Sequence, residues 1–211
     1  MRRVRIEAPA RLHLGMLDLG ASLGRRFGGI GVAITRPAVV LEASPQRELT
    51  AEGPDAERAV QFARRYLRAA GIQAGAHLRV EQTIPAHVGL GSGTKLGLAV
   101  ARALAMLYDQ HPDDPYTLAQ MVGRGRRSAV GLWTFARGGL VVEGGRRPGH
   151  DAPAPLRSAV TVGRGIMAGA TPCSTTGLHL GRLRSGPAPA LACGSSGADR
   201  KAIGRAPGAA S

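Results

Sequence analysis

Gly89, Leu90, Gly91, Ser92, Gly93, Thr94 and Lys95 run consecutively, between a stretch of strand-like alternation and an Ala/Leu-rich stretch. Closely spaced glycines let the backbone approach an anion and turn successive N–H groups towards it. A helix start adds its unpaired N–H groups and the positive end of its dipole at the same point. Such a turn is suited to a phosphate. It is not a Walker A loop, because Thr94 precedes Lys95, and its third glycine comes one position early for G-x-G-x-x-G. A glycine-rich turn that only enters a helix would read the same way. A second segment, Gly123, Arg124, Gly125, Arg126, Arg127 and Ser128, places three guanidiniums within four residues. Guanidinium grips phosphate oxygens bidentately, which ammonium does not; the plainer alternative is a solvated basic face. A third segment, residues 8–20, carries Arg11, His13 and Asp18 beside Gly15 and Gly20. His13 and Asp18 are the candidates for moving a proton, although a lone histidine is more often structural. His77, His87, His111, His150 and His179 show no metal spacing, and Cys173 and Cys193 stand alone, so no metal-ligand set is expected.

The elements that must hold these segments lie in residues 1–147. Val4, Ile6 and Ala8 alternate with polar residues as a strand does. Residues 30–35 and 38–43 read as two further strands, with Arg36 and Pro37 as the turn between them. Pro54 and Asp55 open a helix that Gly71 closes. Its apolar positions Ala59, Ala63, Tyr66, Leu67 and Ala70 share one face; Arg58, Gln61, Arg65 and Arg68 take the other. Leu78, Val80 and Ile84 mark a strand that ends at Pro85, and the glycine-rich turn then leads into a helix over residues 94–108. A short helix follows at 116–122 and a last strand at 139–143. Strands and helices mix without strict alternation, so the expected class is α+β rather than a doubly wound sheet.

The 211 residues carry 28 basic side chains against 14 acidic ones, a formal charge of +14. Only Lys95 and Lys201 are lysines and asparagine is absent, a skew that a GC-rich genome would also produce. The resulting field favours anionic partners, either nucleic acid or a small multiply phosphorylated molecule. No apolar run approaches the roughly 20 residues of a membrane helix, and the first residues lack a signal sequence's apolar core. No membrane partner is expected, and the cytoplasm is the expected location. Residues 148–211 differ in kind: 37 of these 64 are Gly, Pro, Ala or Ser, and none is aromatic. Such a composition buries too little apolar surface to offset ordering entropy. It reads as a disordered tail, or as out-of-frame translation of a GC-rich gene.

Taken together, the motifs resemble the GHMP superfamily of small-molecule kinases. Pro85, Gly89, Leu90, Gly91 and Ser92 are similar to its phosphate-binding motif. Arg11 to Asp18, Gly28 to Gly31, residues 89–95, and residues 123–131 followed by Gly138 and Gly139 resemble, in order, the β-ribofuranosylaminobenzene 5′-phosphate synthase family of methanopterin biosynthesis. The resemblance covers about residues 3–147. It implies the superfamily's N-terminal domain, a two-layer α+β fold shared with a small-subunit ribosomal protein. It also implies a further half with another glycine-rich motif that completes the cleft, and residues 148–211 hold no counterpart.

Two departures bear on chemistry. Mevalonate-kinase-like members carry Ser-Gly-Ile-Asp before a Gly-Gly pair, whereas Ser128, Ala129, Val130 and Gly131 stand at that distance here, with glycine at the catalytic aspartate's place. Gly93 likewise replaces a serine that can serve the metal site. Phosphoryl transfer leans on a metal clamp and a placed base, so no ATP requirement is expected.

The reaction implied by the resemblance joins 5-phosphoribosyl 1-pyrophosphate to 4-aminobenzoate or 4-hydroxybenzoate, losing pyrophosphate and carbon dioxide. Residues 89–94 would then hold one phosphate, and Arg124, Arg126, Arg127 and Ser128 another. Arg11 would take the benzoate carboxylate, while His13 or Asp18 moves a proton. Magnesium would enter only as the companion of pyrophosphate, and the family implies a homodimer. The alternatives are an ATP-dependent kinase of the superfamily and a basic nucleic-acid-binding module. Against the second stand the scattered aromatics and the lack of any zinc spacing or basic heptad region.

Overall fold

The computed structural model describes residues 2–22, 24–110, 114–126 and 129–146, with the side chains of Leu17 and Asp18 also left out. All of these belong to the first of the chain's two units, Met1–Leu178. The expectation for residues 148–211 lies outside the described residues. The elements run β1 (Val4–Asp18), β2 (Phe27–Gln46), β3 (Thr50–Glu52), α1 (Ala56–Ala70), β4 (Gly75–Gln82), α2 (Ser92–Leu107), α3 (Pro115–Met121), α4 (Val130–Ala136) and β5 (Leu140–Glu143). Five strands form one sheet in the order β1-β2-β4-β3, with β5 also pairing with β2. Every pairing is antiparallel except β3 with β4. This is the expected α+β class.

Alternation along the strands sorts the two faces of the sheet. Val4, Ile6, Ala8, Leu41, Ala43, Leu78 and Val80 turn inward and are buried. Arg5 on the other face pairs with Glu42 at 3.0 Å and Glu81 at 2.8 Å, a cross-strand charge ladder in solvent. Helices α1 and α2 pack on the inner face. Ala59, Phe62, Ala63, Tyr66 and Leu67 form the buried stripe of α1, which Gly71 ends at φ 68° with its N–H on the carbonyls of Leu67 and Arg68. Helix α2 is buried nearly all round because it lies between the sheet, α1, α3 and α4.

Three readings need correction. The segments around residues 30–35 and 38–43 are one 20-residue strand, not a hairpin. Arg36 and Pro37, joined by a cis peptide, fall where the register with β1 jumps from Arg11↔Ala33 to Pro9↔Ala38. Proline is tolerated at such an irregularity because no ladder bond is asked of it there. Second, the first strand, read from Val4, Ile6 and Ala8, runs on to Asp18, with residues 11–18 paired with residues 27–33. Third, α4 and β3 had no counterpart in the sequence reading. Ile84, read as a strand position, is buried just beyond the end of β4. Among the described residues no helix is long and apolar enough to cross a membrane.

Candidate active site

Strand β4 delivers the chain to Pro85, and the turn before α2 is made by residues that favour positive φ. Gly89 and Gly91 both have φ 80°, a conformation that costs glycine nothing. Gly91 is the N-cap of α2 and offers no side chain to the first N–H groups, nor is there an acidic residue in the first turn. The helix therefore presents an uncapped, positively polarised start. Arg11 crosses this turn from β1: its NH1 donates to the Gly89 carbonyl at 2.6 Å, and its backbone N–H donates to the Leu90 carbonyl at 3.2 Å. A Cβ on Gly91 would stand 3.2 Å from the Arg11 Cζ, so glycine here also makes room for the guanidinium. Burial pushes the Arg11 pKa down, and its Nε has no hydrogen-bond partner among the described residues.

The turn, Arg11, His87, Arg58 and Arg124 line one cavity of about 390 Å³, in the range of small-ligand sites. Arg58 reaches in from the first turn of α1, its NH1 held by Asp55 at 3.0 Å. Arg124 follows α3, its guanidinium stacked on Phe62 with Cζ 4.9 Å from the ring centre. Burial, then the charges of Arg58 and Arg65, lower its pKa. From the far side, α4 brings Gly131 against the turn. A Cβ there would lie 3.2 Å from the Thr94 Cγ2 and 3.7 Å from the Arg11 Nε. Position 131, which the sequence resemblance matches to the kinases' aspartate, thus abuts the turn and carries no side chain.

Comparison with known proteins accords with this geometry. Residues 57–138 match the family model described as the GHMP kinases N terminal domain. A beta-ribofuranosylphenol 5′-phosphate synthase of Methanothermobacter thermautotrophicus is 41% identical over 150 residues, covering 66% of this chain and 45% of that protein. A protein of the same name from Methanocaldococcus jannaschii is 34% identical over 154 residues, covering 66% and 46%. Residues 57–138 are thus similar to the GHMP kinases N terminal domain, and about two thirds of the chain is similar to these synthases. The chain spans about half the length of the curated relatives it matches. Among solved structures, 4-(cytidine 5′-diphospho)-2C-methyl-D-erythritol kinase superposes with a TM-score of 0.51 at 28% identity, over 68% of this chain and 53% of that one.

The cavity gathers most of the residues singled out in the sequence: Arg11, Gly89, Leu90, Gly91, Ser92, Gly93, Thr94 and Arg124. His13 is not in its lining. It sits two residues along β1 on the same face as Arg11, its ring 3.2 Å from where a Gly29 Cβ would be. Burial, then the Arg11 charge, hold the His13 imidazole below its ordinary pKa, so it is neutral at pH 7. Arg126 lines a neighbouring hollow of about 440 Å³ with Tyr116, Gln120 and Arg146, to which Arg124 also contributes. Arg127, Ser128 and the Asp18 side chain lie outside the described residues.

Arg58 and His87 are additions to the sequence reading. Arg58 had been placed on the solvent face of its helix. A cation in the first turn of a helix opposes the helix dipole, and that misplacement is the signal that could have singled it out. Among the described residues no three His, Cys, Asp or Glu side chains come together as metal ligands. The cavity lining offers guanidiniums and N–H groups in place of carboxylates. These residues do not fit a protein-bound magnesium ion.

Proposed function

We propose that the chain transfers a phosphoribosyl group from 5-phosphoribosyl 1-pyrophosphate to 4-hydroxybenzoate or 4-aminobenzoate, with loss of pyrophosphate and carbon dioxide, as a synthase of tetrahydromethanopterin biosynthesis. The observation that carries this reading is a cavity walled by Arg11, Arg58, Arg124 and an uncapped helix start, with glycine at both 93 and 131. Such a wall holds anions, and among the described residues its lining includes no carboxylate.

In the reaction the anomeric C–O bond breaks and its electron pair leaves with pyrophosphate. The sugar carbon becomes oxocarbenium-like and is attacked by the ring carbon that bears the carboxylate. The new C–C bond forms, the carboxylate leaves as carbon dioxide, and the electrons of that broken bond restore aromaticity. No net proton is needed. Fixed positive charge favours this course because negative charge grows on the leaving oxygens in the transition state. The turn from Gly89 to Thr94 binds one phosphate through N–H groups, and Arg124 with the arginines that follow it binds another. Arg11 braces the turn and turns its remaining N–H groups to the benzoate carboxylate. Neutral His13, or Asp18, accepts the phenol or amine proton while the ring is electron-poor and returns it afterwards. No ATP is consumed.

The test is an incubation of the protein with 5-phosphoribosyl 1-pyrophosphate and carboxyl-labelled 4-hydroxybenzoate, beside a parallel one with ATP. Label released as carbon dioxide in step with pyrophosphate supports the reading. ADP formation without label release would establish the kinase alternative instead.

A further inference from the structure

The structure assigns to Arg58 a binding role in the same site: with Arg124 it forms a two-guanidinium clamp over the bare Cα of Gly93, and this clamp takes the second phosphate of a diphosphate whose first phosphate lies on the α2 turn. The inference rests on the reading of the site given above, and it selects the substrate class, a diphosphate rather than a monophosphate.

The geometry is specific. A Cβ built on Gly93 would stand 3.0 Å from the Arg58 NH2 and 3.1 Å from the Arg124 NH2. Both terminal nitrogens therefore lie against the first turn of α2, close to Gly93. They occupy the volume that any side chain at 93 would fill. Each guanidinium is oriented from behind. Asp55 holds the Arg58 NH1 at 3.0 Å and leaves NH2 facing the turn. Phe62 supports the Arg124 guanidinium from below, and the Arg124 backbone N–H is fixed on the Ala119 carbonyl at 2.7 Å.

Electrostatics make the pair costly without a ligand. Arg58 and Arg65 both repel Arg124 enough to lower its pKa further than burial alone does. The only carboxylate bonded to the pair among the described residues is Asp55, on the Arg58 NH1. Two like charges held together beside a positively polarised helix start favour an anion in the cavity that both of them line. One phosphate on the N–H groups of the turn leaves its neighbour, one bridging oxygen away, within reach of both guanidiniums. Arginine forks suit the non-bridging oxygens of that second group.

The experiment is a calorimetric titration of the full chain with inorganic pyrophosphate and, separately, with inorganic phosphate at physiological salt. It compares the natural protein with Arg58→Ala, Arg58→Lys and Arg64→Ala. Arg64 is exposed on the same helix and controls for the general loss of one positive charge. Pyrophosphate should bind at least about tenfold more tightly than phosphate. Arg58→Ala should weaken pyrophosphate by about 10- to 30-fold and leave phosphate within about threefold, the loss expected of one charge-assisted contact. Arg58→Lys should fall between, and Arg64→Ala should lower both ligands equally and slightly.

Equal loss of both ligands on Arg58→Ala, no loss of either, or no pyrophosphate binding by the natural protein would overturn the inference. The functional reading fails separately. A clamp that behaves as described in a protein that makes no ribosylated arene leaves the diphosphate site standing without the synthase. A ribosylated arene made by a protein indifferent to Arg58 removes the clamp alone.

Discussion

Alanine at position 93 should move stability and ligand affinity in opposite directions. Gly93 lies in the first turn of α2 with an ordinary helical backbone. Replacing glycine by alanine in a helix gains about 0.5–1 kcal/mol, chiefly by restricting the unfolded chain. The new methyl meets only the far ends of Arg58 and Arg124, at 3.0 and 3.1 Å, and both side chains can swing aside while relieving their mutual repulsion. The melting temperature should therefore rise by about 2–4 °C. The same swing draws one guanidinium off the anion. A hydrogen bond to a charged group is worth about 1.5–3 kcal/mol, so losing one of the pair weakens pyrophosphate by about 10- to 100-fold. Calorimetric titration and a thermal melt of Gly93→Ala measure both quantities on one sample. A raised melting temperature with unchanged pyrophosphate affinity would refute the argument, because the arginines would then have been displaced without consequence.

Arg11→Ala removes the bond to the Gly89 carbonyl at 2.6 Å and should cost about 1–2 kcal/mol in chemical denaturation. It should also weaken phosphate and pyrophosphate together, since the turn that binds the first phosphate loses its brace. His13 is neutral in the fold, its pKa pushed down by burial and then by Arg11. Below about 6.5 the unfolded chain binds the extra proton first, so stability is retained above that pH and lost as pH falls through it. Melting curves between pH 7.5 and 5.5 should show a smaller drop for His13→Gln than for the natural protein; equal drops would remove His13 from the account. Tyr66 is fully buried and its hydroxyl has no partner among the described residues. Tyr66→Phe should therefore stabilise the protein by about 1 kcal/mol in the same denaturation assay, and a loss of stability would mean that the hydroxyl is bonded.

What could be read from the sequence followed from local physics. Helix α1 carries its start at Asp55, its stop at Gly71 and its apolar stripe in its own residues. The glycine turn before α2 was equally legible, since glycine at 89 and 91 is what φ 80° requires. Helix α4 was not legible, because its determinants are remote. Val130, Trp133, Thr134 and Phe135 favour strands, and Ala129 gives no side-chain cap. The cap comes from Glu143 on β5, whose Oε2 accepts from the Ala129 N–H at 2.9 Å, and buried Leu132 and Phe135 hold the helix in the core. Strand β2 misled for a similar reason. Proline in isolation signals a turn, and only the pairing with β1 shows that residues 34–37 lie in a register jump within one strand. In the site, the residues close in sequence to the glycines were found and Arg58 was not. Its approach to Gly93 depends on how α1 packs against α2, which helical periodicity alone assigns to the solvent side.

The decisive question is whether this cavity receives a phosphoribosyl diphosphate rather than a nucleoside triphosphate. Competitive titration of the protein with 5-phosphoribosyl 1-pyrophosphate and with magnesium-ATP measures it directly. The account predicts saturable binding of the ribosyl diphosphate that ATP fails to displace at about 100-fold excess, a preference of at least about 2.7 kcal/mol. Tighter binding of magnesium-ATP, with the ribosyl diphosphate displaced by it, would contradict the account and return the site to the kinases.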